Sequence, residues 1–343
     1  MTGKRRYASS VDVARLAGVS QSAVSRAYRE GTSVSEETRR KVHEAATALD
    51  YRPSMIPRIM LTHRSHLVGV VVGGLYNPFY ASVLESFASR LQEAGYQILL
   101  MHTDSGHSID GIIPQLSSYR VDAIVSALAV LSTKSADALA TLRVPVVLLN
   151  ASVSNAWVSS VGSDNRAAGC AVADHLLKCG VRRFGFIAGP TNSSASEDRL
   201  EGFRGRLKEA GIGQVEVFEA DFRYEGGRAA ALAMFEGRRG PDAVFCANDL
   251  MAMGAMDALR TDLRMRVPED VLVVGFDDIP PASWSAYDLT TVAQDASNLV
   301  KQSIDLLHTM MAHHDGVRGR SAVIPAKIVI RGSTSVVSPT GRI

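Results

Sequence analysis

Two spacings of apolar residues divide this chain into a short head and a long body. In the first fifty residues apolar side chains recur three and four positions apart, as at Val13, Leu16 and Ala17. This spacing predicts amphipathic helices. From Leu67 onward, short uninterrupted apolar runs alternate with helical patterns. That alternation is typical of parallel sheets covered by helices on both faces.

Capping residues place three helices in the head. Ser9 followed by Asp12 forms a capping signal for the first helix, and Gly18 is suited to end it in a left-handed conformation. Ser20 and Ser35 are placed to begin the second and third helices. Two helices joined by a tight corner and covered by a third describe a helix-turn-helix. A small helical bundle with a polar surface fits the same spacing.

The body contains more than eight strand–helix units, which predicts two doubly wound parallel sheets in separate lobes. The predicted strands span residues 67–72, 96–101, 123–126, 144–149, 184–188, 215–219, 243–247 and 271–275. The predicted helices include residues 81–94, 167–178, 199–210 and 250–260. Several end at a glycine, which is the residue that favours a left-handed helix terminus.

Polar and aromatic residues follow the predicted strands, where ligands bind to sheets of this kind. The candidates are Phe79, Tyr80, Asn150, the loop 189–199, Phe222, Asn248 and Asp277. Hydrogen-bonding groups beside flat aromatic faces suit a polyhydroxylated ligand. Each candidate also has an ordinary structural explanation. Asn248 or Asp249 can cap a helix, Asp277 can lie in a turn, and Arg199 can pair with Glu197 or Asp198.

Charge is distributed unevenly along the 343 residues. Residues 1–65 hold twelve Lys and Arg against six Asp and Glu, whereas the remainder holds 25 basic and 29 acidic residues. A basic module of this kind suits a polyanionic partner such as DNA, although a basic segment can also be merely solubilising.

Other classes of protein find little support in the sequence. The chain lacks G-x-G-x-x-G, G-x-x-x-x-G-K-[ST], H-E-x-x-H and G-x-S-x-G, so we expect no catalytic site. Its three cysteines have no metal-ligand spacing, and we expect no metal or cofactor. A transport binding protein would share two lobes, but the N-terminus has no signal-peptide pattern. We therefore expect a cytoplasmic protein with no membrane association.

The string VDVARLAGVSQSAVSRAY, followed by VSEETRRKVHEAATALDYRPS, resembles the head of the LacI–GalR transcription regulators. The resemblance covers nearly the whole chain. It implies that Gln21 and Ser22 read bases and that Arg26 supports this contact. Ser20 and Ser25 lie on the same helix and complete the predicted DNA-binding surface.

The family has a hinge helix after the head that places an apolar side chain, usually Leu, in the minor groove. By spacing, Met60 stands at that position here, with Arg58 nearby, and both are predicted DNA-binding residues. Pro57 stands where the family usually has Ala. Because proline is tolerated only in the first turn of a helix, we expect the hinge helix to begin near Ile56 or to be short.

In the body, the resemblance assigns effector contacts to Arg199, Asn248 and Asp277. It extends them to Ser193, Asn150, Phe222, Phe79 and Tyr80. The loop between Thr191 and Ser196 is small and hydroxylic, which favours a neutral or hydroxyl-rich effector such as a sugar. The tail has no leucine heptad, and the resemblance then implies a homodimer on a near-palindromic operator.

The same resemblance sets the domain limits. It implies a DNA-binding domain at residues 1–54, a hinge at 55–65 and an effector-binding body at 66–343. Within the body the N-lobe comprises about 66–163 and 293–322, and the C-lobe about 164–292 and 323–343. The expected function is that of an allosteric regulator, a repressor, whose operator affinity depends on a small molecule bound between the lobes.

Overall fold

The computed structural model describes residues 8–28, 33–52, 64–103, 111–128, 133–151, 158–237, 240–312 and 319–335. The chain separates into two compact units, Met1–Arg64 and Ser65–Ile343. The first unit is the helical head and the second is the α/β body.

The described residues of the head form three helices, α1 (Ser10–Ala17), α2 (Gln21–Ala27) and α3 (Glu36–Ala48). Their apolar faces meet in a core that contains the fully buried Val13, Val24 and Val42. Of the apolar residues predicted for the first helix, Val13 lies in this core and Ala17 packs against it, whereas Leu16 is 57% exposed.

The predicted caps of the head are confirmed. Ser9 and Asp12 form a reciprocal capping box at the start of α1, and Gly18 ends this helix with a φ of 67°. Ser20 and Ser35 accept hydrogen bonds from backbone N–H groups in the first turns of α2 and α3. These bonds fix the tight corner between α1 and α2, so the head is a helix-turn-helix.

Two parallel sheets form the body, as the sequence predicted. The N-lobe sheet has the order β11-β5-β4-β3-β1-β2, and the C-lobe sheet has the order β7-β6-β8-β9. All the strand pairs within these two sheets are parallel. Their strands are β1 (Leu67–Val72), β2 (Gln97–His102), β3 (Ala123–Ala127), β4 (Val146–Leu149), β5 (Val158–Ser163), β6 (Phe184–Ala188), β7 (Val215–Glu219), β8 (Ala243–Cys246), β9 (Leu272–Val274) and β11 (Ser321–Ile324).

Helices cover the faces of both sheets. They are α4 (Pro78–Glu93), α5 (Ile113–Ser118), α6 (Thr133–Ala140), α7 (Asn165–Lys178), α8 (Ser194–Glu209), α9 (Tyr224–Phe235), α10 (Asp249–Asp257) and α11 (Ala296–Ala312). A π-helical turn, Ala258–Asp262, extends α10. Among the described residues, no helix is long and apolar enough to cross a membrane.

The sequence missed the elements that join the lobes. Strands β10 (Thr291–Ala293) and β12 (Lys327–Val329) form a separate antiparallel pair. The strand β5 was also missed, because its sequence VSSVGS lacks the continuous apolar run of its neighbours. The predicted lobe boundary between residues 322 and 323 falls inside β11, which belongs to the N-lobe sheet. This boundary therefore moves beyond Ile324.

Glycines set the distance between paired helices of the C-lobe. A Cβ added at Gly169 of α7 would lie 2.3 Å from the carbonyl oxygen of Arg199, and one at Gly202 of α8 would lie 2.0 Å from that of Arg166. The two backbones therefore approach more closely than any larger residue permits. This contact fixes the position of α8 and of Arg199, which α8 carries.

We predict that Gly202→Ala lowers the free energy of unfolding of the body by roughly 1–3 kcal/mol, because the added methyl forces the helix backbones apart. Urea unfolding measures the effect. Gly205→Ala on the same helix is the control, since a Cβ there meets no atom within 4 Å. It should be neutral or stabilising by about 0.5–1 kcal/mol, because alanine favours a helix over glycine. Equal losses in both variants would contradict the close-packing argument.

Candidate functional site

The second helix of the head presents a polar surface. Gln21, Ser22, Ser25 and Arg26 are exposed, whereas Val24 and Ala27 on the opposite side are buried. The predicted DNA-reading residues of α2 therefore lie on its solvent-facing side, where base edges and phosphates could be reached.

Local hydrogen bonds orient the start of α2. The side-chain amide of Gln21 donates to Ser10 Oγ of α1 at 2.9 Å. Ser20 Oγ lies 2.9 Å from Ser22 Oγ and also accepts from the backbone of Ala23. Ser20 therefore serves as a helix cap. The predicted hinge residues Pro57, Arg58 and Met60 lie outside the described residues.

In the body, the predicted effector residues lie just after strands or in the helices that follow them, and three of them have unusual backbone geometry. Asn150, Phe222 and Asp277 have φ values of 52°, 65° and 121°. Asn tolerates the left-handed region. A Phe in that region, or an Asp with a φ of 121°, costs about 1–3 kcal/mol each. Strain of this size is typical of functional sites.

The carboxylate of Asp277 joins the two lobes. It is 7% exposed, and both of its oxygens accept hydrogen bonds from amide groups. Asn77, which lies between β1 and α4 in the N-lobe, donates from Nδ2 to Oδ2 at 2.9 Å. Gln294 Nε2, from the segment after β10, donates to Oδ1 at 2.6 Å. Asp277 is therefore held as a carboxylate rather than left as a surface turn residue.

A second cluster connects Gln294 with the N-lobe. Its side-chain oxygen accepts from Asn150 Nδ2 at 2.9 Å and from Ser163 Oγ at 2.7 Å. Asn150 Oδ1 in turn accepts from the backbone of Ser163 at 3.3 Å. The predicted residues Asn150 and Asp277 are thus connected through Gln294, which the sequence did not single out.

Arg199 is buried in the C-lobe, with 4% of its surface exposed. Its Nε donates to Asn165 Oδ1 at 2.9 Å, its Nη1 donates to the carbonyl of Ala247, and its guanidinium lies 3.4 Å from the centroid of the Phe276 ring. The alternative of a surface pair with Glu197 or Asp198 is therefore wrong for this residue. Its buried guanidinium instead holds the ends of β8 and α7 together.

Asn248, Phe222 and Ser193 complete the C-lobe side of the cleft. Asn248 caps α10, because its Oδ1 accepts from the backbone of Met251, while its Nδ2 donates to the carbonyl of Phe222 at 2.9 Å. The predicted effector residue Asn248 is thus a helix cap that also holds the backbone of Phe222. Ser193 is fully buried and caps α8. A Cβ at Gly189 would lie 2.1 Å from the Phe222 ring, so only glycine accommodates this ring.

Aromatic residues line the N-lobe side. Phe79 is buried, Tyr80 is partly buried, and their ring centroids lie 5.4 Å apart in an edge-to-face arrangement. The backbone of Phe79 donates to Asn77 Oδ1 at 3.0 Å. Farther out, the guanidinium of Arg223 from the C-lobe lies 4.3 Å from the ring centroid of the exposed Tyr76.

Two carboxyl groups and one guanidinium dominate the electrostatics of the cleft. Burial raises the pKa of Asp277, while Arg199 and the amides of Asn77 and Gln294 oppose that rise. Burial also raises the pKa of Asp249 well above its ordinary value, and the negative charge of Asp277 raises it further. Burial, and then Asp277, raise the pKa of the Tyr80 hydroxyl.

Several residues that bond to the predicted ones escaped the sequence reasoning, namely Asn77, Ser163, Asn165 and Gln294. Asn77 could have been found, because an Asn immediately before a Pro that opens a helix is a capping signal. Gln294 carries no such signal. Among the described residues, no group of three or more His, Cys, Asp or Glu side chains forms a candidate metal site.

Comparisons with known proteins match both units. A model of the LacI family of bacterial regulatory proteins matches residues 11–54, and a periplasmic binding protein-like domain matches residues 173–334. The HTH-type transcriptional repressor PurR of Haemophilus influenzae (strain PittEE) is 30% identical over 332 residues, which cover 95% of this chain and 98% of the relative. The ribose operon repressor of Escherichia coli (strain K12) is 31% identical over 300 residues, which cover 86% of this chain and 91% of that repressor.

Solved structures of two transcription regulators match nearly the whole chain. The lac repressor dimer bound to operator and the anti-inducer ONPF superimposes with a TM-score of 0.85 at 27% identity, covering 96% of this chain and 99% of that one. The complex of the transcriptional regulator CelR with cellobiose gives a TM-score of 0.73 at 30% identity, covering 95% and 99%.

A helix-turn-helix head and a two-lobed, periplasmic binding protein-like body define the class of DNA-binding transcription regulators that respond to a small-molecule effector. The chain belongs to the LacI family of bacterial regulatory proteins. The resemblance read from the head of the sequence is thereby confirmed.

We predict that Arg199→Lys destabilises the body by roughly 1–3 kcal/mol, because an ammonium group lacks the planar fork that reaches two acceptors and stacks on a ring. Chemical unfolding measures the loss. Arg204→Lys, an exposed position on the same helix, should stay within about 0.5 kcal/mol of the parent protein. A similar result for both variants would show that the buried guanidinium is dispensable.

Proposed function

We propose that this regulator is a cytoplasmic, non-catalytic repressor that binds a near-palindromic operator as a homodimer. In this proposal a neutral, hydroxyl-rich effector, such as a sugar or sugar derivative, binds between the lobes and sets the operator affinity. The observation that carries the choice of effector is the buried carboxylate of Asp277, which accepts hydrogen bonds from an N-lobe amide and from an amide of the crossover segment.

Hydrogen-bond chemistry supports a neutral ligand. A carboxylate accepts hydrogen bonds only, so Asp277 favours hydroxyl donors and disfavours an anion. The one buried guanidinium nearby, that of Arg199, already donates to Asn165 and Ala247. Ser196 Oγ, in the first turn of α8, accepts from the backbone of Gly189, so this hydroxyl is also engaged in holding the loop before the helix.

Aromatic faces support a sugar in particular. Phe79, Tyr80 and Phe222 provide flat apolar surfaces beside the polar groups, and this combination suits the C–H faces and hydroxyls of a sugar ring. The relatives fit this chemistry, since one is a ribose operon repressor and another was solved as a complex with cellobiose. We therefore assign the effector contacts to Asp277 and Arg199, together with Asn248, Ser193, Asn150, Phe222, Phe79 and Tyr80.

In the head, we assign base and phosphate contacts to the exposed face of α2. Gln21 can form paired hydrogen bonds with a base edge, and Arg26 can do so with guanine or a phosphate. Ser22 is assigned to a base edge as well, and Ser20 and Ser25 are short donors suited to the DNA backbone. Arg58 and Met60 complete the proposed surface from the hinge. In this scheme Met60 enters the minor groove between two half-sites of the operator.

The domain limits follow from the same scheme. We assign residues 1–54 to DNA binding, 55–65 to the hinge, and 66–343 to effector binding and dimerisation. The lac repressor dimer on its operator supports this arrangement. Effector binding and operator binding must then change one another by the same factor, which is about 5–150-fold for coupling of 1–3 kcal/mol.

A thermal-shift panel of sugars, sugar acids and nucleosides tests the effector class. We expect a neutral sugar to raise the Tm, because a ligand at 100 times its Kd adds about 2.7 kcal/mol to the free energy of unfolding. Asp277→Ala should abolish this shift, whereas Glu197→Gln, an exposed change on α8, should leave it intact. A shift produced by anionic ligands alone, or one that survives in Asp277→Ala, would refute the proposed site.

Operator recognition can be tested after an operator is selected from a randomised DNA library. We expect Arg26→Ala to weaken operator binding about 5–150-fold, corresponding to 1–3 kcal/mol of lost base recognition, and to leave binding to unrelated DNA less affected. Arg40→Ala on α3 removes the same charge, and its side chain pairs with Glu44 instead. If the two variants lose affinity equally on all sequences, α2 is not the reading helix.

A further inference from the structure

Gln294 lies where the chain passes between the lobes. It follows β10, which pairs with β12, and precedes α11, which packs against strands of the N-lobe sheet. Next to it, the backbone of Asp277 donates to the carbonyl of Val292 at 2.9 Å. Gln294 therefore belongs to the crossover segment rather than to either lobe.

Its neighbours determine the orientation of its amide. The side-chain oxygen faces two donors, Asn150 Nδ2 and Ser163 Oγ, and the side-chain nitrogen faces the carboxylate of Asp277. The reverse orientation would place an NH₂ group against the NH₂ of Asn150 and an oxygen against a carboxylate oxygen. Only one orientation satisfies all three partners, and it requires Asp277 to act as an acceptor.

The contacts continue beyond Gln294 in both directions. Asn150 follows β4 and Ser163 ends the neighbouring β5. The backbone N–H of Ser163 donates a hydrogen bond to the side chain of Asn150. On the other side, Asp277 accepts from Asn77, whose own oxygen caps α4 by accepting from the backbone of Phe79. Each group in the chain Asn150–Gln294–Asp277–Asn77 therefore has a fixed role as donor or acceptor, a property that strengthens such networks cooperatively.

We propose that Gln294 is the positioning residue through which the N-lobe responds to Asp277: its amide fixes the carboxylate on one side and the ends of β4 and β5 on the other. The inference rests on the proposed function, in which Asp277 contacts the effector. An effector hydroxyl that donates to Asp277 competes with or reinforces the bond from Gln294, and so changes the hold of Gln294 on Asn150 and Ser163.

Reversal of the hydrogen-bond direction provides a test that needs no effector. The single variant Gln294→Glu places a second carboxylate against Asp277. The single variant Asp277→Asn can retain a hydrogen bond to Gln294 by presenting its side-chain oxygen. The double variant Gln294→Glu/Asp277→Asn restores every contact: residue 294 still accepts from Asn150 and Ser163, and the new amide at 277 donates to it while accepting from Asn77.

We expect Gln294→Glu to lower the Tm of the full chain by roughly 2–4 °C at pH 7.5, because two carboxylates in contact repel each other. The loss should shrink towards pH 5, since one shared proton removes the repulsion. The sign follows from linkage: the pKa of the carboxyl pair is raised in the folded state, so stability is lost as pH rises through that raised pKa. In the double variant the loss at pH 7.5 should largely disappear.

The other charged or titratable groups that act on Asp277 and Asp249 in this region are Arg199, Tyr80 and Asp278. They are the same in all the variants, so the difference between single and double variants isolates the contact between residues 294 and 277. Asn298→Asp on α11 is a matched control that adds a carboxylate outside the network, and it should show no rescue by Asp277→Asn.

Hydrogen exchange measured on the same proteins tests the response of the N-lobe. Gln294→Glu should accelerate amide exchange in residues 146–151 and 158–163 at pH 7.5, and the double variant should restore protection. The proposal would be overturned if the Tm loss of the double variant equalled the sum of the two single losses. It would also be overturned if amide exchange in the N-lobe did not change with the contact between residues 294 and 277. A failed effector assignment shows itself separately, because Asp277→Ala would then leave the sugar-induced thermal shift unchanged while the rescue persists.

Discussion

The body is organised around the need to satisfy one buried carboxylate. Asp277 lies between the lobes, almost inaccessible to solvent, on a backbone whose φ of 121° an ordinary side chain avoids. An unpaired charge at such a depth would cost several kcal/mol. The protein offsets this cost with amides from Asn77 and Gln294 and with the nearby guanidinium of Arg199. These groups come from both lobes and the crossover, so satisfying the charge also fixes how the lobes meet.

The local part of this architecture could be predicted from the sequence. Ser9 with Asp12, Gly18, Ser20 and Ser35 marked the helix ends of the head, because capping depends on residues a few positions apart. Strands β1, β6 and β7 were predicted with the bounds that the structure has, because each is bounded by clear turn or helix signals. The polar residues after the strands were recognised because the ends of parallel strands share one edge.

The remainder depends on contacts between distant residues, and no local pattern contains it. Gln294 meets Asn150 across 144 positions, and Asn77 meets Asp277 across 200. The polar strand β5 is stable because it pairs with β4 and β11 on either side, not because of its own composition. The close approach of α7 and α8 through Gly169 and Gly202 is equally invisible in the sequence, since a helical glycine usually marks weakness rather than contact.

Rigid and strained parts of the C-lobe have complementary roles. The glycine contact between α7 and α8 sets the position of Arg199, whose guanidinium then lies over Phe276, the residue before Asp277. Phe276 and Asp277 belong to the segment that carries the backbone strain and the cross-lobe hydrogen bonds. Close packing thus holds this side of the C-lobe in position, while the hydrogen bonds of Asp277 reach from it to the N-lobe and to the crossover segment. In the proposed function a ligand acts on these hydrogen bonds, and a change of about 1–3 kcal/mol is the usual size of the coupling between two binding sites.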